Sequence, residues 1–332
     1  MEPGGGGRWC CAIDGSTLTV PDHPAVLTRF TKQAGNHGGT GYPQLRLLAL
    51  LACGTRTVID AVFGPTTTGE TTYAPALLRS LGPGMILLAD RNFGAQGLVA
   101  DIAGTGAHVL VRLKNGRKMP VLARYRDGSY LSLLGALRVR VIDCEIAIST
   151  SAGRRVGVYR LATTLLDPNR YPAAELIQLF HERWEIETAY LELKSSILGG
   201  RVLRARTPSG IEQEVYALLV VYQLIRTAMA DATATRPDVD PDRASFSTAL
   251  HADDPSRGRH RRHHHRPRRH HRPPRPGPPH ARPAPARIPP HRQTRHLQIP
   301  GPRPKRRQDQ LQGHHRHRHP PTRRPLTNRS RT

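Results

Sequence analysis

Two periods of apolar spacing run along the chain, and the points where one gives way to the other mark its elements. CCAIDGSTLTV (residues 10–20) half-alternates and predicts a strand. LRLLALLACG (45–54) and TRTVIDAVFG (55–64) predict two strands joined at a Gly-Thr turn, a hairpin. TTYAPALLRSLG (71–82) predicts a helix closed by Gly82. MILLADRNF (85–93) is continuously apolar and then breaks into charge, as a buried parallel strand does at its carboxyl end. AQGLVADIAGTG (95–106) predicts a helix and HVLVRLK (108–114) another buried strand. From about 117 to 165 the pattern shortens to Arg-laced alternation, as in RVRVIDCEIAI, and predicts antiparallel strands. Residues 171–197 carry one helical stripe, with Pro172 in the first turn and Gly199-Gly200 beyond the end. Residues 211–232 predict a strongly apolar helix. The glycine-dense 31–43 reads as a loop and ATRPDVDPDRAS (234–245) as a linker. No Lys-Ser or Lys-Thr follows the glycines of 31–43, so a phosphate-cradling P-loop is excluded there.

The order is strand, hairpin, helix, strand, helix, strand, β segment, helix. This is an α/β chain, and its order resembles the ribonuclease H-like fold: three antiparallel strands, then parallel strands alternating with helices. The expected division is 1–116 as the first part of the core, 117–165 as a β-strand insertion, 166–250 as the second part of the core, and 251–332 as a tail.

Composition separates the tail from the rest. The formal charge of +25 is uneven: residues 251–332 hold 23 of the 50 Lys and Arg, 14 of the 18 His and 17 of the 30 Pro, but 3 of the 25 acids. That leaves 27 bases against 22 acids in residues 1–250. A tail of Arg, His and Pro cannot bury enough apolar surface to offset chain entropy, and disorder is expected. Cys10, Cys11, Cys53 and Cys144 show no CxxC spacing, which argues against a zinc site or a disulfide framework. No charged leader precedes an apolar run, and no stretch approaches the roughly 18 uninterrupted apolar residues of a spanning helix. A cytoplasmic protein with no membrane partner is expected.

The candidate chemistry lies in carboxylates. Asp14 sits on the first strand, Asp90 at the end of MILLAD, and Glu187 on the 171–197 helix. Hard cations take oxygen ligands, and convergence of three acids is tolerable when a metal neutralises them. Asp60, on the third strand, is a rival first acid, and Asp143 and Glu145 fit a solvated face of the β segment. At about 100° per residue, Arg183, Glu187 and Lys194 fall within about 40° of one another, beside the stripe of Leu179, Ile186, Tyr190, Leu193 and Ile197. An Arg183–Glu187 helix pair alone is worth only about 0.2–0.5 kcal/mol and makes no use of Lys194.

These motifs resemble DDE transposases of the insertion-sequence 4 family, over about residues 8–250. The family's helix signature is Tyr-x2-Arg-x3-Glu-x6-Lys, and Phe180, Arg183, Glu187 and Lys194 stand here in the same spacing. LADRNF and AIDGST are similar to the segments that carry its two aspartates. The resemblance implies that Asp14, Asp90 and Glu187 bind two Mg²⁺ or Mn²⁺ ions and are catalytic. It implies that Phe180, Arg183, Trp184, Lys194 and Arg91 contact double-stranded DNA, at the terminal inverted repeats of a transposon and at its target, with a homodimer on the DNA. The implied reaction is hydrolysis at the element's end followed by attack of the freed 3′-hydroxyl. Family members place a helical region ahead of the first acid and continue in folded sequence past a FSTAL-like segment. This chain is therefore expected to be a degraded copy whose Arg-His-Pro tail arises by frameshift. The alternative is an inactive nucleic-acid-binding protein acting through that tail. A His-rich metal-binding tail is disfavoured, because interspersed Arg repels cations.

Overall fold

A computed structural model describes residues 9–32, 41–150, 153–234, 244–252 and 297–298. The centre of the predicted glycine loop, most of the 234–245 linker and nearly all of the tail lie outside these residues. So does the expected disorder of the tail.

The chain order is β1 (Trp9–Thr19), α1 (Pro24–Leu27), β2 (Gln44–Ala52), β3 (Val58–Pro65), α2 (Glu70–Tyr73), β4 (Met85–Ala89), α3 (Gln96–Gly104) and β5 (His108–Leu113). It continues with β6 (Ala123–Arg124), β7 (Tyr130–Leu134), β8 (Leu137–Thr150), β9 (Gly153–Thr163), α4 (Ala173–His181), α5 (Trp184–Leu191), α6 (Pro208–Ala234), α7 (Phe246–Leu250) and β10 (Leu297–Gln298). The strands form one mixed sheet in the order β3-β2-β1-β4-β5-β9-β8-β7-β6, with β10 beside β8. β2 and β3 are antiparallel additions to β1, while β4 and β5 run parallel to it. β9 then pairs antiparallel with β5, so the β segment of 117–165 continues the main sheet edge to edge.

Both faces of the central strands are covered, which is why they read as continuous apolar runs. On one face Ala12, Leu45, Leu47, Leu88 and Leu110 pack with Ile177 and Phe180 of α4, Ile186 and Tyr190 of α5, and Ile211, Val215 and Tyr222 of α6. On the other, Cys11, Ile13, Leu48, Leu50, Leu87 and Val109 pack with Leu77, Leu98, Val99 and Ile102. Arg140 of β8, fully buried, donates to Asp127, to Ser129 Oγ and to the Tyr171 carbonyl; Asp127 also accepts from the Ala173 amide. This ties the β segment to the start of α4.

Two predicted helices differ in form. The 71–82 segment begins as α2 and tightens into a 3-10 helix over Ala74–Ser80, with Pro75 removing a backbone donor at the change. The 171–197 segment is not one helix. It breaks between His181 and Trp184, resumes as α5, and widens into a π-helix over Glu192–Ile197. No Pro or Gly forces the break. It coincides with side chains turned to the sheet: Arg183 reaches Asp14, and the buried Glu185 accepts the Gly54 amide at 2.6 Å. Such long-range bonds override a propensity worth tenths of a kcal/mol per residue.

α6 is long and apolar enough to cross a membrane, by length and composition alone. Here its inner stripe lies in the core, and Arg226, 1 % exposed, pairs there with Glu192 of the π-helix, which also accepts Arg56.

Candidate active site

The first two acids reach one end of the sheet through register. Ile13 of β1 pairs with Ala89 of β4, and the next residues are Asp14 and Asp90. Ile13 and Ala89 point into the face covered by α3, so alternation sends Asp14 and Asp90 to the face covered by α4 and α5. Glu187 lies in the first turn of α5, where the helix N-terminus favours an acid.

Arg183 joins two of these three. Its guanidinium stands 3.0 Å from Glu187 Oε1 and 3.5 Å from Asp14 Oδ2. The Arg183 side chain is 8 % exposed, against 24 % for Asp14 and 41 % for Glu187. It stacks 5.1 Å from the Trp184 ring centroid and 5.9 Å from that of Phe180. Lys194 donates to Ser16 Oγ at 3.2 Å. A π turn advances each residue through less than the α-helical 100°, which redirects Lys194 relative to Glu187. Asp14, Ser16, Glu187, Lys194 and Ser195 line an open cleft of about 290 Å³.

Electrostatics single out Asp14. Burial pushes its carboxyl up to about 6, helped by the negative charges of Glu70 and Glu187; the Gly15 amide and Arg183 pull the other way. Tyr190 is buried, and its hydroxyl donates to the Asp14 carbonyl at 2.7 Å.

Asp90 is placed differently from the other two. It stands beside Asp14 in the sheet, but its carboxylate is 3.7 Å from Arg112 of β5. Among the described residues no three Asp, Glu, His or Cys stand close enough to hold one ion. Arginines balance the three acids as they stand here: Arg183 faces Asp14 and Glu187, and Arg112 faces Asp90. Phe180 is placed away from the surface. Its ring is 3 % exposed in the core and offers DNA no surface; it supports Arg183 from below. Trp184 is half-buried, and Arg91 is exposed on the turn after Asp90. The rival acids are accounted for structurally, Asp60 by Arg79 and Ser80, Asp143 by Arg160.

Sequence reasoning missed four participants. Ser16, two residues from Asp14 on the same strand face, was legible from alternation. Tyr190 was placed on the apolar stripe without regard to its hydroxyl. Glu70 packs against Gly15, where an added Cβ would lie 2.4 Å from its carboxylate, and it pairs with Arg46 at 3.0 Å. Glycine inside a strand was the available signal for that close approach. Arg112 carried no local signal.

Comparison with known proteins decides the family. The profile of the transposase DDE domain matches residues 5–224. The chain belongs to the DDE transposase family. Among curated relatives, the transposase InsG of insertion sequence element IS4 from Escherichia coli K12 is 27 % identical over 253 residues, 72 % of this chain and 57 % of that protein. The putative transposase InsZ of the same strain is 28 % identical over 98 residues, 29 % of this chain and 33 % of that one. The chain thus spans little more than half the length of the first of these relatives and a third of the second. A solved piggyBac transposase synaptic complex with hairpin DNA aligns over 73 % of this chain and 51 % of its own, at 12 % identity and a TM-score of 0.44. Asp14 lies on β1, Asp90 directly after β4 and Glu187 on α5.

Proposed function

We propose that this chain is the catalytic core of an insertion-sequence transposase with a ribonuclease H-like sheet, cutting and joining DNA at transposon ends. The observation that carries the reading is the meeting of Asp14 and Glu187 on one buried arginine beside Lys194. These residues are far apart in sequence, and a helix edge stabilised only by its own ion pair would have no need of β1.

The donor set fits divalent ions. Asp14 and Glu187 are hard oxygen ligands, and burial first, with the charges of Glu70 and Glu187 adding to it, pushes the Asp14 carboxyl up to about 6 despite Arg183. Asp14, Glu187 and Asp90 would hold Mg²⁺ or Mn²⁺, which supplies charge neutralisation and an activated oxygen nucleophile at a phosphodiester. The protein's own groups do the rest. Arg183 and Lys194 bind phosphate oxygens, Tyr190 fixes the Asp14 backbone, and the Trp184 and Phe180 rings keep Arg183 aimed at the cleft. Hydrolysis breaks a P–O bond and frees a 3′-hydroxyl, which then attacks a second phosphodiester in a hairpin or target strand. The proposed partner is double-stranded DNA, with the protein acting as a homodimer in the cytoplasm.

The test is divalent-dependent nicking of a duplex that carries the inverted repeats flanking the gene. No cleavage by wild type under conditions in which it binds Mn²⁺ and that duplex would remove the enzymatic reading for this copy. The alternative, binding through the tail alone, is separated by deleting residues 255–332. The tail adds only Leu297–Gln298 to the described sheet. Thermal unfolding should then stay nearly unchanged while most salt-sensitive DNA binding disappears. Cooperative loss of the fold on deletion would show that the tail is structural. Reading the gene one nucleotide out of frame tests the origin of the tail: the shifted frame should restore apolar, periodic sequence.

A further inference from the structure

Between Asp101 and Asp127 the chain carries six cations, Arg112, Lys114, Arg117, Lys118, Arg124 and Arg126, and no acid. Arg112 is the penultimate residue of β5, and Lys114, Arg117 and Lys118 follow the strand's carboxyl end. Ala89 pairs with Val111, so Arg112 stands beside Asp90. The loop then folds back over the turn that follows Asp90, where the Arg117 guanidinium donates to the Gly94 carbonyl. A Cβ on Gly94 would meet Leu113 and the Arg112 carbonyl at 3.0 and 3.1 Å, so glycine there permits the approach.

The loop is held by its neighbours. Arg160, paired with Asp143, donates to the carbonyls of Asn115 at 3.2 Å and Arg117 at 2.8 Å. The Asn115 amide donates to the Val158 carbonyl at 2.9 Å. Arg112 lies 3.9 Å from the Tyr159 ring centroid. Main-chain acceptors are thus used internally, while Lys114, Lys118 and Arg91 are exposed. Among the described residues neither of these two lysines has a carboxylate partner. A fixed loop with outward cations is what a phosphate backbone meets. The Tyr159 ring beside the loop carries Arg112 on one face, so that face is closed to a stacked single-stranded base.

We propose that Arg91 and residues 112–118 form a second phosphate-binding ridge, which holds duplex DNA continuing past the reacting phosphodiester. The sheet order places Lys194 beside β1, Asp90 at the end of β4 and the ridge at the end of β5. Two strand spacings are about 10 Å. One DNA strand carries a charge about every 3.4 Å of helix axis, so the ridge engages phosphates about three nucleotides from those at Lys194. The location of the reacting phosphate rests on the proposed carboxylate cleft; the ridge itself does not.

The chain has five lysines, Lys32, Lys114, Lys118, Lys194 and Lys305, so lysine acetylation reads each surface separately in the full-length protein. Lys32 pairs with Asp22 on α1's flank and serves as the control, and Lys305 reports the tail. With a short random-sequence duplex at moderate salt, acetylation of Lys114 and Lys118 should slow several-fold while Lys32 is unaffected. The double variant Lys114→Glu, Lys118→Glu should lower the slope of log affinity against log salt by about two units. Protection of Lys305 alone, or equal protection of all five, overturns the ridge. Protection of Lys194 without Lys114 and Lys118 also overturns it and leaves the cleft reading standing. Protection of Lys114 and Lys118 without Lys194 supports the ridge and counts against the cleft.

Discussion

Glu187→Gln should lose Mn²⁺ binding by more than 100-fold while keeping its fold. The substitution retains the shape of the side chain and the helix, and removes the charge that a cation needs. Loss of outer hydrogen-bond partners already costs metal sites about 10–100-fold, so loss of a ligand should cost more. The competing account is that Glu187 only pairs with Arg183, at 3.0 Å, from a carboxylate that is partly exposed. On that account the change costs at most about half a kcal/mol of stability and leaves Mn²⁺ titration as it was. Isothermal titration of wild type and Glu187→Gln separates the two, and equal affinities would reduce the helix to a salt-bridged edge. Lys194→Ala serves as the contrast. It should weaken DNA affinity and flatten its salt dependence without moving Mn²⁺ affinity.

Hydrophobic pattern carried most of the sheet and little of the helix geometry. β2 and β4 are buried on both faces, so their runs announced central strands, and the Asp after MILLA marked a strand end. The pattern could not say which edges join. Alternation in RVRVIDCEIAI fixes which side chains share a face, but pairing of β9 with β5 is a matter of backbone hydrogen bonds between distant segments. The break before Trp184 was invisible for a related reason. HERW favours helix locally, and what opposes it is Glu185 at Gly54 and Arg183 at Asp14, more than a hundred residues away in the chain. The cleft divides in the same way. Spacing alone brought Arg183, Glu187 and Lys194 to one side of a helix, whereas the pairing of Asp90 with Arg112 and the approach of Glu70 to Gly15 depend on the packed sheet.

Metal-free protein should lose stability as pH rises from about 4 to about 6, and Asp14→Asn should remove that loss. The usual carboxyl range is near 3.9, and burial in the folded state pushes Asp14 up to about 6. A group whose affinity for protons is raised by folding favours the native state most below its unfolded value, and that contribution is gone above its folded one. Between the two limits the slope approaches 1.4 kcal/mol per pH unit, giving a total on the order of 3 kcal/mol. Asp60 and Asp127 act in the opposite sense, since their partners Arg79, Ser80, Ser129 and Arg140 hold them below the usual range. The informative quantity is therefore the difference between wild type and Asp14→Asn, measured by urea unfolding with chelator at pH 4 and pH 7. Wild type should lose ground to Asp14→Asn across that interval. Saturating Mn²⁺ at pH 7 should reverse the order, because a ligand that binds only the native state stabilises it in proportion to the logarithm of its excess over Kd. A pH-independent difference between the two proteins would mean that Asp14 is not held as a strained, buried acid, and with it would fall the argument that the cleft is built to receive a cation.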